Sequence, residues 1–200
     1  MKSNMEVKQT DITELDVDVI VNAANRQLLE GGGVCGAIFH KAGSMELAKA
    51  CSKIGGCKTG DAVITPGFNL FAKYIIHAVG PVWQGGDNNE AELLYNAYEN
   101  SLFLAKENDC HSIAFPLISS GIYGYPKVHA WKTAVQACKD FLTDNPDYPI
   151  RIIFAVLSDE SKKLGENTII VFKSFKRAYP RQYFRKLLNI KSRTVFKEHL

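Results

Sequence analysis

Continuous apolar runs alternate along this chain with segments in which apolar residues recur at helical spacing. The runs are rich in β-branched residues and are bounded by glycine or proline, a pattern typical of strands buried on both faces of a sheet. The predicted strands are Met5–Gln9, Val17–Ala23, Ala62–Thr65, Tyr74–Val79, Ile113–Ile118 and Ile150–Leu157.

Three segments show the helical period. The first, 34–42, follows the glycines at 31–33, and the second is Asn89–Asn108. The third begins at Pro126, whose fixed φ suits the first turn of a helix. Because strands and helices alternate through most of the chain, the pattern predicts an α/β fold with a largely parallel sheet covered on both faces.

Composition narrows the class of protein. The chain has 200 residues, of which 46% are hydrophobic and 22% charged, as expected for a globular protein. No apolar run reaches transmembrane length, and the first residues lack the apolar stretch of a signal peptide, so we expect a cytoplasmic protein that does not bind membranes. The five cysteines are odd in number and form no CxxC pair, which favours free thiols over disulfides or a metal site.

Charge is distributed unevenly. Residues 171–200 contain nine Lys and Arg residues and one acidic residue, whereas the rest of the chain is acidic. Basic and aromatic residues are interleaved in this tail, so it could bind nucleic acid, or lie on a membrane as a basic amphipathic helix. The favoured alternative is a helix packed on the domain, because Tyr183, Phe184, Leu187 and Leu188 form one apolar stripe.

Two glycine-rich loops are the main candidates for ligand binding. They are 28–38, LLEGGGVCGAI, and 118–126, ISSGIYGYP, and each lies between a predicted strand and a predicted helix. Glycine lets the backbone approach a ligand closely, and a helix N-terminus offers free N–H groups to an anion. Two such loops at one sheet edge suit a diphosphate. The alternative is that both are ordinary strand–helix turns.

Two other motifs leave alternatives open. Gly31, Gly33 and Gly36 match GxGxxG, but these glycines do not directly follow a strand and the expected downstream acid is missing, so a nicotinamide-dependent enzyme is disfavoured. Asn22 and Asn25 flank the end of a buried strand. They either cap the following turn or use a carboxamide to bind sugar hydroxyls.

Taken together, these stretches resemble the macrodomain family over roughly residues 5–157. The matching segments are TDIT at 10–13, VNAAN at 21–25, LLEGGGVCGAI at 28–38, GDAVITPGFNLFAKYIIHAVGP at 60–81 and IAFPLISSGIYGYP at 113–126. The resemblance points to the branch that contains ADP-ribosyl-protein hydrolases and O-acetyl-ADP-ribose deacetylases. It implies a three-layer α/β/α fold with a mostly parallel, mixed central sheet, a macrodomain over 1–165 and a basic C-terminal extension over 166–200.

The resemblance also implies a site for ADP-ribose or a mono-ADP-ribosylated protein, with no cofactor and no metal. Asp11 would accept a hydrogen bond from the adenine amino group, and Asn25 would hold the distal ribose and act in catalysis. The expected ligand-binding residues are Asp11, Ile12, Asn22, Asn25, Gly32, Gly33, Val34, Cys35, Ser119, Ser120, Gly121, Ile122, Tyr123 and Tyr125.

Two positions depart from the hydrolase pattern that the resemblance implies. Cys35 takes the place of an acid and Phe39 the place of a histidine, while His40 lies about 100° further around the helix. A neutral thiol is a poorer general base at pH 7 than a carboxylate. We therefore expect an ADP-ribosyl-ester hydrolase that relies on substrate positioning, with a non-catalytic ADP-ribose reader as the alternative.

Overall fold

The structure, a computed structural model, describes residues 4–174. Its centre is one six-stranded sheet in the order β1-β6-β5-β2-β4-β3, in which only β3 runs antiparallel to its neighbour. This confirms the mostly parallel mixed sheet. The strands are β1 Met5–Gln9, β2 Val19–Ala23, β3 Ala62–Pro66, β4 Tyr74–Ala78, β5 Ser112–Phe115 and β6 Arg151–Val156.

In the described residues 4–174, five α-helices cover the two faces of this sheet. The helices are α1 Val34–Ala42, α2 Ser44–Ile54, α3 Glu90–Glu107, α4 Lys127–Asp144 and α5 Asp159–Ser174, and a short 3-10 helix spans Ile12–Glu14. The buried residues of α1 and α2 belong to one core cluster, and those of α3, α4 and α5 to the other. The predicted three-layer α/β/α arrangement is therefore confirmed.

Strand β2 shows why the sheet is buried on both faces. Val19 and Val21 belong to the core under α3 and α4, whereas Ile20 belongs to the core under α1 and α2. All three side chains are at most 1% exposed. The uninterrupted β-branched run therefore packs against the helices on both faces of the sheet, as expected for a central strand.

Several element boundaries differ from the predictions. The ladder of β2 begins at Val19 rather than Val17, because the Asp18 amide N–H donates to Ser112 Oγ at 2.8 Å. Strand β5 ends at Phe115 rather than Ile118, since Pro116 has no N–H to donate. Strand β6 is also one residue shorter at each end than predicted.

Helix α2 was not predicted. Its apolar residues Leu47, Cys51 and Ile54 do recur at helical spacing, so this signal was present in the sequence and was overlooked. Helix α5 was likewise not predicted as one element, and it runs across the division expected between residues 165 and 166.

The start of the basic tail packs on the domain. Ile169 of α5 is 4% exposed, and Phe172 packs against the same core. Lys139 Nζ on α4 donates to the Phe172 carbonyl at 3.0 Å. Residues 175–200 lie outside the described part of the chain, so docking of the tail remains a prediction there. Within residues 4–174, no helix has both the length and the apolar content needed to cross a bilayer. A cytoplasmic location remains a prediction as well.

Candidate functional site

The two glycine-rich loops lie side by side at one edge of the sheet. They follow β2 and β5, which are neighbouring parallel strands, and lead into α1 and α4 on opposite faces of the sheet. Such a divergence opens a crevice at the carboxyl ends of the strands, the usual ligand position in open α/β sheets. The loops touch, because a Cβ atom added at Gly32 would lie 3.4 Å from Ile122 Cδ1.

The first loop is shaped by its own glycines. Gly33 adopts φ +62° at the N-terminal boundary of α1, a conformation that favours glycine. A Cβ at Gly36 would lie 2.6 Å from the Gly31 carbonyl oxygen, so only glycine allows this close approach. No side chain within the described residues caps α1, which leaves its first N–H groups available to an anion.

The second loop is a compact turn with outward N–H groups. The Gly124 N–H donates to the Gly121 carbonyl at 2.9 Å, and the Tyr125 N–H donates to the Ser119 carbonyl at 3.0 Å. In the described part of the chain, the N–H groups of Gly121, Ile122 and Tyr123 have no hydrogen-bond partner. Several unpaired N–H groups on one turn form an anion-binding nest.

A Tyr98 hydroxyl holds the base of this second loop. It accepts from the Ile118 N–H at 2.9 Å and donates to the Pro116 carbonyl, and the residue is completely buried. The next residue, Ser119, adopts φ +65° with a buried Oγ that has no partner among the described residues. The loop is thus fixed at its strand end while its tip remains exposed.

A buried polar network lies beneath the first loop. Asn22 Nδ2 lies 3.1 Å from His77 Nδ1 and donates to Cys35 Sγ at 3.6 Å. His77 Nε2 lies 3.0 Å from Thr65 Oγ1, and Cys35 Sγ donates to the Leu29 carbonyl at 3.7 Å. The network therefore links β2, β3 and β4 to the first loop.

This network is uncharged at neutral pH. Burial raises the pKa of the Cys35 thiol, despite opposing hydrogen bonds from Asn22 and the Gly31 backbone. Burial also lowers the pKa of His77 to about 4. The His77 Nε2 atom faces both Thr65 Oγ1 at 3.0 Å and Cys51 Sγ at 3.8 Å, so uncharged groups surround the ring. Neither Cys35 nor His77 is therefore suited to act as a general base here.

Asn25 closes the turn after β2. Its Oδ1 accepts from the Leu29 N–H at 3.0 Å, and its Nδ2 donates to the Leu29 carbonyl at 2.7 Å. The predicted capping role is confirmed for Asn25. Asn22 does not cap the turn, because its side chain is only 1% exposed and faces His77. Its burial gives no support to a direct ligand contact.

Asp11 lies at the same edge of the sheet, just beyond β1. Its Oδ1 accepts from the N–H and hydroxyl groups of Thr13 at 2.9 and 2.8 Å, which starts the short 3-10 helix. The side chain of Asp11 is exposed, and Ile12 beside it is buried. Leu157 follows the adjacent strand β6 and is 81% exposed. Its carbonyl accepts from Gln9 Nε2 at 3.4 Å, so it borders the same end of the crevice.

Comparison with known proteins identifies the fold family. The family model described as Macro domain matches residues 21–134, and an O-acetyl-ADP-ribose deacetylase of Escherichia fergusonii is 51% identical over 168 residues, covering 82% of this chain and 94% of that protein. This chain belongs to the macrodomain family. A macro domain-containing protein of Chlorobaculum tepidum is 52% identical over 151 residues, covering 76% of this macrodomain and 87% of the relative.

Solved structures agree with this assignment. The Oceanobacillus iheyensis macrodomain with ADP superposes with a TM-score of 0.80 at 40% identity, covering 85% of this chain and 92% of that one. The Trypanosoma brucei macrodomain in complex with ADP-ribose gives a TM-score of 0.76 at 36% identity, covering 83% of this chain and 69% of that one. Variants of the Oceanobacillus iheyensis protein with a replaced asparagine, glycine or aspartate also match.

Most site residues predicted for this macrodomain converge on the crevice. Residues 32–34 and 120–123 line its two sides, Cys35 and Ser119 are buried next to them, and Asn25 and Asp11 lie at the same sheet edge. Tyr125 does not lie open to a ligand, since it is 3% exposed and its ring packs on Trp83. Phe39 is fully buried while His40 is exposed, so His40 does not take the place of the missing histidine.

Sequence reasoning missed three contributors to the site. Leu157 is a lone exposed leucine, and its position became visible only from the strand order. Trp83 contacts the second loop from a different part of the chain, since its backbone N–H donates to the Tyr123 carbonyl. The buried acid Glu90 binds the backbone of the residues that follow Trp83. The acid at the first position of α3 was a weak signal for Glu90, because acids are common at helix N-termini.

Proposed function

We propose that this macrodomain binds ADP-ribose and hydrolyses O-acetyl-ADP-ribose or mono-ADP-ribosyl esters. The observation that carries the proposal is the pair of neighbouring loops that present unpaired backbone N–H groups to one crevice. Arg26 is the only cationic residue in the stretch 25–36, and 118–126 contains none. Backbone donors therefore supply most of the anion binding, and two loops suit the two phosphates of a diphosphate.

The adenosine end fits the edge between β1 and β6. One carboxylate oxygen of Asp11 is used by Thr13, which leaves Oδ2 to accept from the exocyclic amino group of adenine. The exposed side chain of Leu157 offers an apolar surface for the base on the neighbouring strand end. A polar acceptor beside an apolar wall is a common arrangement for binding a planar ligand.

The distal ribose then lies near Asn25 and Cys35. A Cβ at Gly31 would lie 3.8 Å from both Asn25 Nδ2 and Cys35 Sγ, so these two side chains border the same glycine. The asparagine, glycine and aspartate replaced in the solved Oceanobacillus iheyensis variants have the same relative spacing as Asn25, Gly32 and Cys35. This supports the proposal that Cys35 occupies the position of an acid.

Since the raised pKa keeps Cys35 neutral at pH 7, we assign water positioning to the substrate itself. For an ester at the anomeric carbon, the diphosphate orients a water molecule for attack on that carbon. The carbon–oxygen bond to the carboxylate breaks, and the proton of the water passes to the departing carboxylate or to solvent. Asn25 and the first glycine loop hold the ribose in place for this attack. Orientation of this kind can supply much of a rate enhancement.

A non-catalytic reader of ADP-ribose is the second candidate, favoured by Cys35 and Phe39. Turnover of O-acetyl-ADP-ribose, measured alongside ADP-ribose affinity, separates the two. We expect wild type to release acetate, Cys35→Ala to retain most of that activity, and Asn25→Ala to lose it. His40→Ala, an exposed change on the same helix, is the matched control.

Binding without turnover in the wild type would establish the reader. Loss of turnover in Cys35→Ala with unchanged affinity would show that the thiol takes part in the chemistry. Because Asn25 also closes the 25–29 turn, the affinity of Asn25→Ala shows whether its lost activity comes from a disordered loop.

A further inference from the structure

Glu90 is a buried carboxylate that the proposed chemistry does not use. It is 1% exposed and lies at the first position of α3. Its Oε1 accepts from the N–H groups of Gln84 and Gly86, each at 3.1 Å, and its Oε2 accepts from the Asn88 N–H at 2.6 Å. The segment 84–89, defined here as the Glu90 loop, therefore wraps around an internal anion.

These donors stabilise the charged form of Glu90. Burial by itself opposes ionisation, but the hydrogen bonds from the backbone together hold the pKa of Glu90 below its usual value. A carboxylate that accepts several backbone N–H groups is a strong local anchor. The side chain thus fixes the path of the loop before α3.

The Glu90 loop positions Trp83. A Cβ at Gly86, where φ is +96°, would lie 2.9 Å from Trp83 Cη2, so the loop backbone lies directly against the indole ring. The indole also makes an edge-on contact with the Tyr125 ring at a centroid distance of 4.7 Å. Trp83 is therefore held between the Glu90 loop and the second glycine loop.

Trp83 also bonds directly to the second glycine loop. Its backbone N–H donates to the Tyr123 carbonyl at 2.8 Å. The peptide group that contains this carbonyl also contains the Gly124 N–H, which donates to the Gly121 carbonyl. Hydrogen bonds thus hold both the carbonyl and the N–H of this peptide group. They fix the backbone conformation of the turn that presents the free N–H groups of residues 121–123.

We propose that Glu90 is a positioning residue for the second glycine loop, acting through Trp83 on the turn that receives the diphosphate. The ligand part of this inference rests on the proposed function, whereas the effect on the loop does not. Glu90 touches no ligand atom in this account. It sets the geometry of the donors in advance, which lowers the ordering cost of binding.

The Glu90→Gln variant tests the proposal most sharply. The amide has the same shape but only one acceptor oxygen, so its NH₂ group must face at least one backbone N–H. We expect ADP-ribose affinity to fall about tenfold, as for the loss of one good hydrogen bond at a buried charged group. Glu107→Gln, an exposed change in the last turn of the same helix, is the matched control and should leave affinity unchanged.

A double-mutant cycle distinguishes positioning from general destabilisation. Trp83→Ala removes the indole contacts with Gly86 and Tyr125 but keeps the backbone N–H that donates to Tyr123, so in this background Glu90→Gln should cause a smaller loss of affinity than in wild type. If the separate losses of affinity multiply in the double variant, the two residues act independently, and that result would overturn the proposal. If Glu90→Gln does not fold, Trp83→Ala alone should loosen the second loop, and an unchanged loop there would equally overturn it.

Amide hydrogen exchange without ligand gives a readout that does not depend on the proposed function. Glu90→Gln should speed exchange at Gly124 and Tyr125 while the N–H groups of β2 keep their protection. Equal acceleration throughout the domain would show a merely structural role and overturn the proposal. If wild type fails to bind ADP-ribose, the proposed function fails, but this exchange measurement still decides whether Glu90 positions the loop.

Discussion

The two glycine-rich loops form one crevice but obtain their shapes differently. The first depends on its own glycines, since Gly33 adopts a positive φ and Gly36 has no room for a side chain. It rests on the neutral polar network of Cys35, Asn22 and His77. The second loop is held from outside by the Tyr98 hydroxyl and by Trp83.

This difference shows where each loop is vulnerable. Changes within the first loop, or protonation of the network beneath it, should alter it directly. The tip of the second loop has open space around Gly121, so this position tolerates a small side chain, whereas Gly124 adopts a positive φ and the supports from outside hold the rest of the loop. Three predictions, ordered by their expected effect on stability, test this contrast.

Acid should weaken the support of the first loop most strongly. Because the pKa of His77 is about 4 in the folded chain and about 6.5 when unfolded, the unfolded state binds the proton first as pH falls. The stability that depends on neutral His77 is therefore fully present above about pH 6.5 and is lost as the pH falls from 6.5 to 4. The loss amounts to about 3 kcal/mol in the free energy of unfolding.

Urea denaturation at a series of pH values checks this prediction. His77→Gln should flatten the dependence between pH 6.5 and 4, while His40→Gln, which removes an exposed imidazole, should leave it as in wild type. His129, whose pKa is also lowered by burial, remains in both variants and does not affect the comparison. An unchanged slope in His77→Gln would contradict the assignment.

Gly36→Ala tests the packing of the first loop. Helix propensity alone would make this change stabilising by about 1 kcal/mol. The close approach of the Gly31 carbonyl predicts the opposite sign, with a loss of about 2 kcal/mol. Chemical denaturation measures the difference, and Ala37→Gly at the adjacent exposed position calibrates propensity without the contact. A stabilised Gly36→Ala would refute the packing argument.

Gly121→Ala should have the smallest effect on stability. A Cβ there meets no atom within 4 Å and the residue does not require a positive φ, so we expect a change within about 0.5 kcal/mol. ADP-ribose affinity should nevertheless fall, because the methyl group obstructs close approach of the diphosphate to the backbone. Affinity is measured by competition with a fluorescent analogue, and an unchanged value would contradict binding of the diphosphate at this loop.

The same contrast explains what the sequence could predict. The glycines of the first loop, the buried strands and the order of elements are local signals, so the sheet edge and both loops were predicted correctly. Strand β3 was also predicted, but its antiparallel direction had no local signal. Trp83 bonds to Tyr123 across forty residues of sequence, and Glu90 lies nearly thirty residues before the second loop. Pairings of that kind depend on the packed fold and have no local pattern.

The burial of individual side chains could not be predicted from the sequence either. Asn22 and Asn25 occur three residues apart in one motif, yet one lies under the loop beside His77 and the other closes the turn. Tyr125 was expected to face the ribose but packs under Trp83. Asn22 lies within β2, whereas Asn25 and Tyr125 lie in the loops after β2 and β5, where no strand alternation fixes the direction of a side chain.

Calorimetric titration of the full chain with ADP-ribose tests the central claim most directly. If backbone donors of the two loops hold the diphosphate, the titration should show saturable heat with one ADP-ribose per chain. Adenosine, which lacks both phosphates, should compete only weakly. Absence of heat with ADP-ribose, or equal affinity for adenosine, would contradict the claim that this crevice is built for a diphosphate.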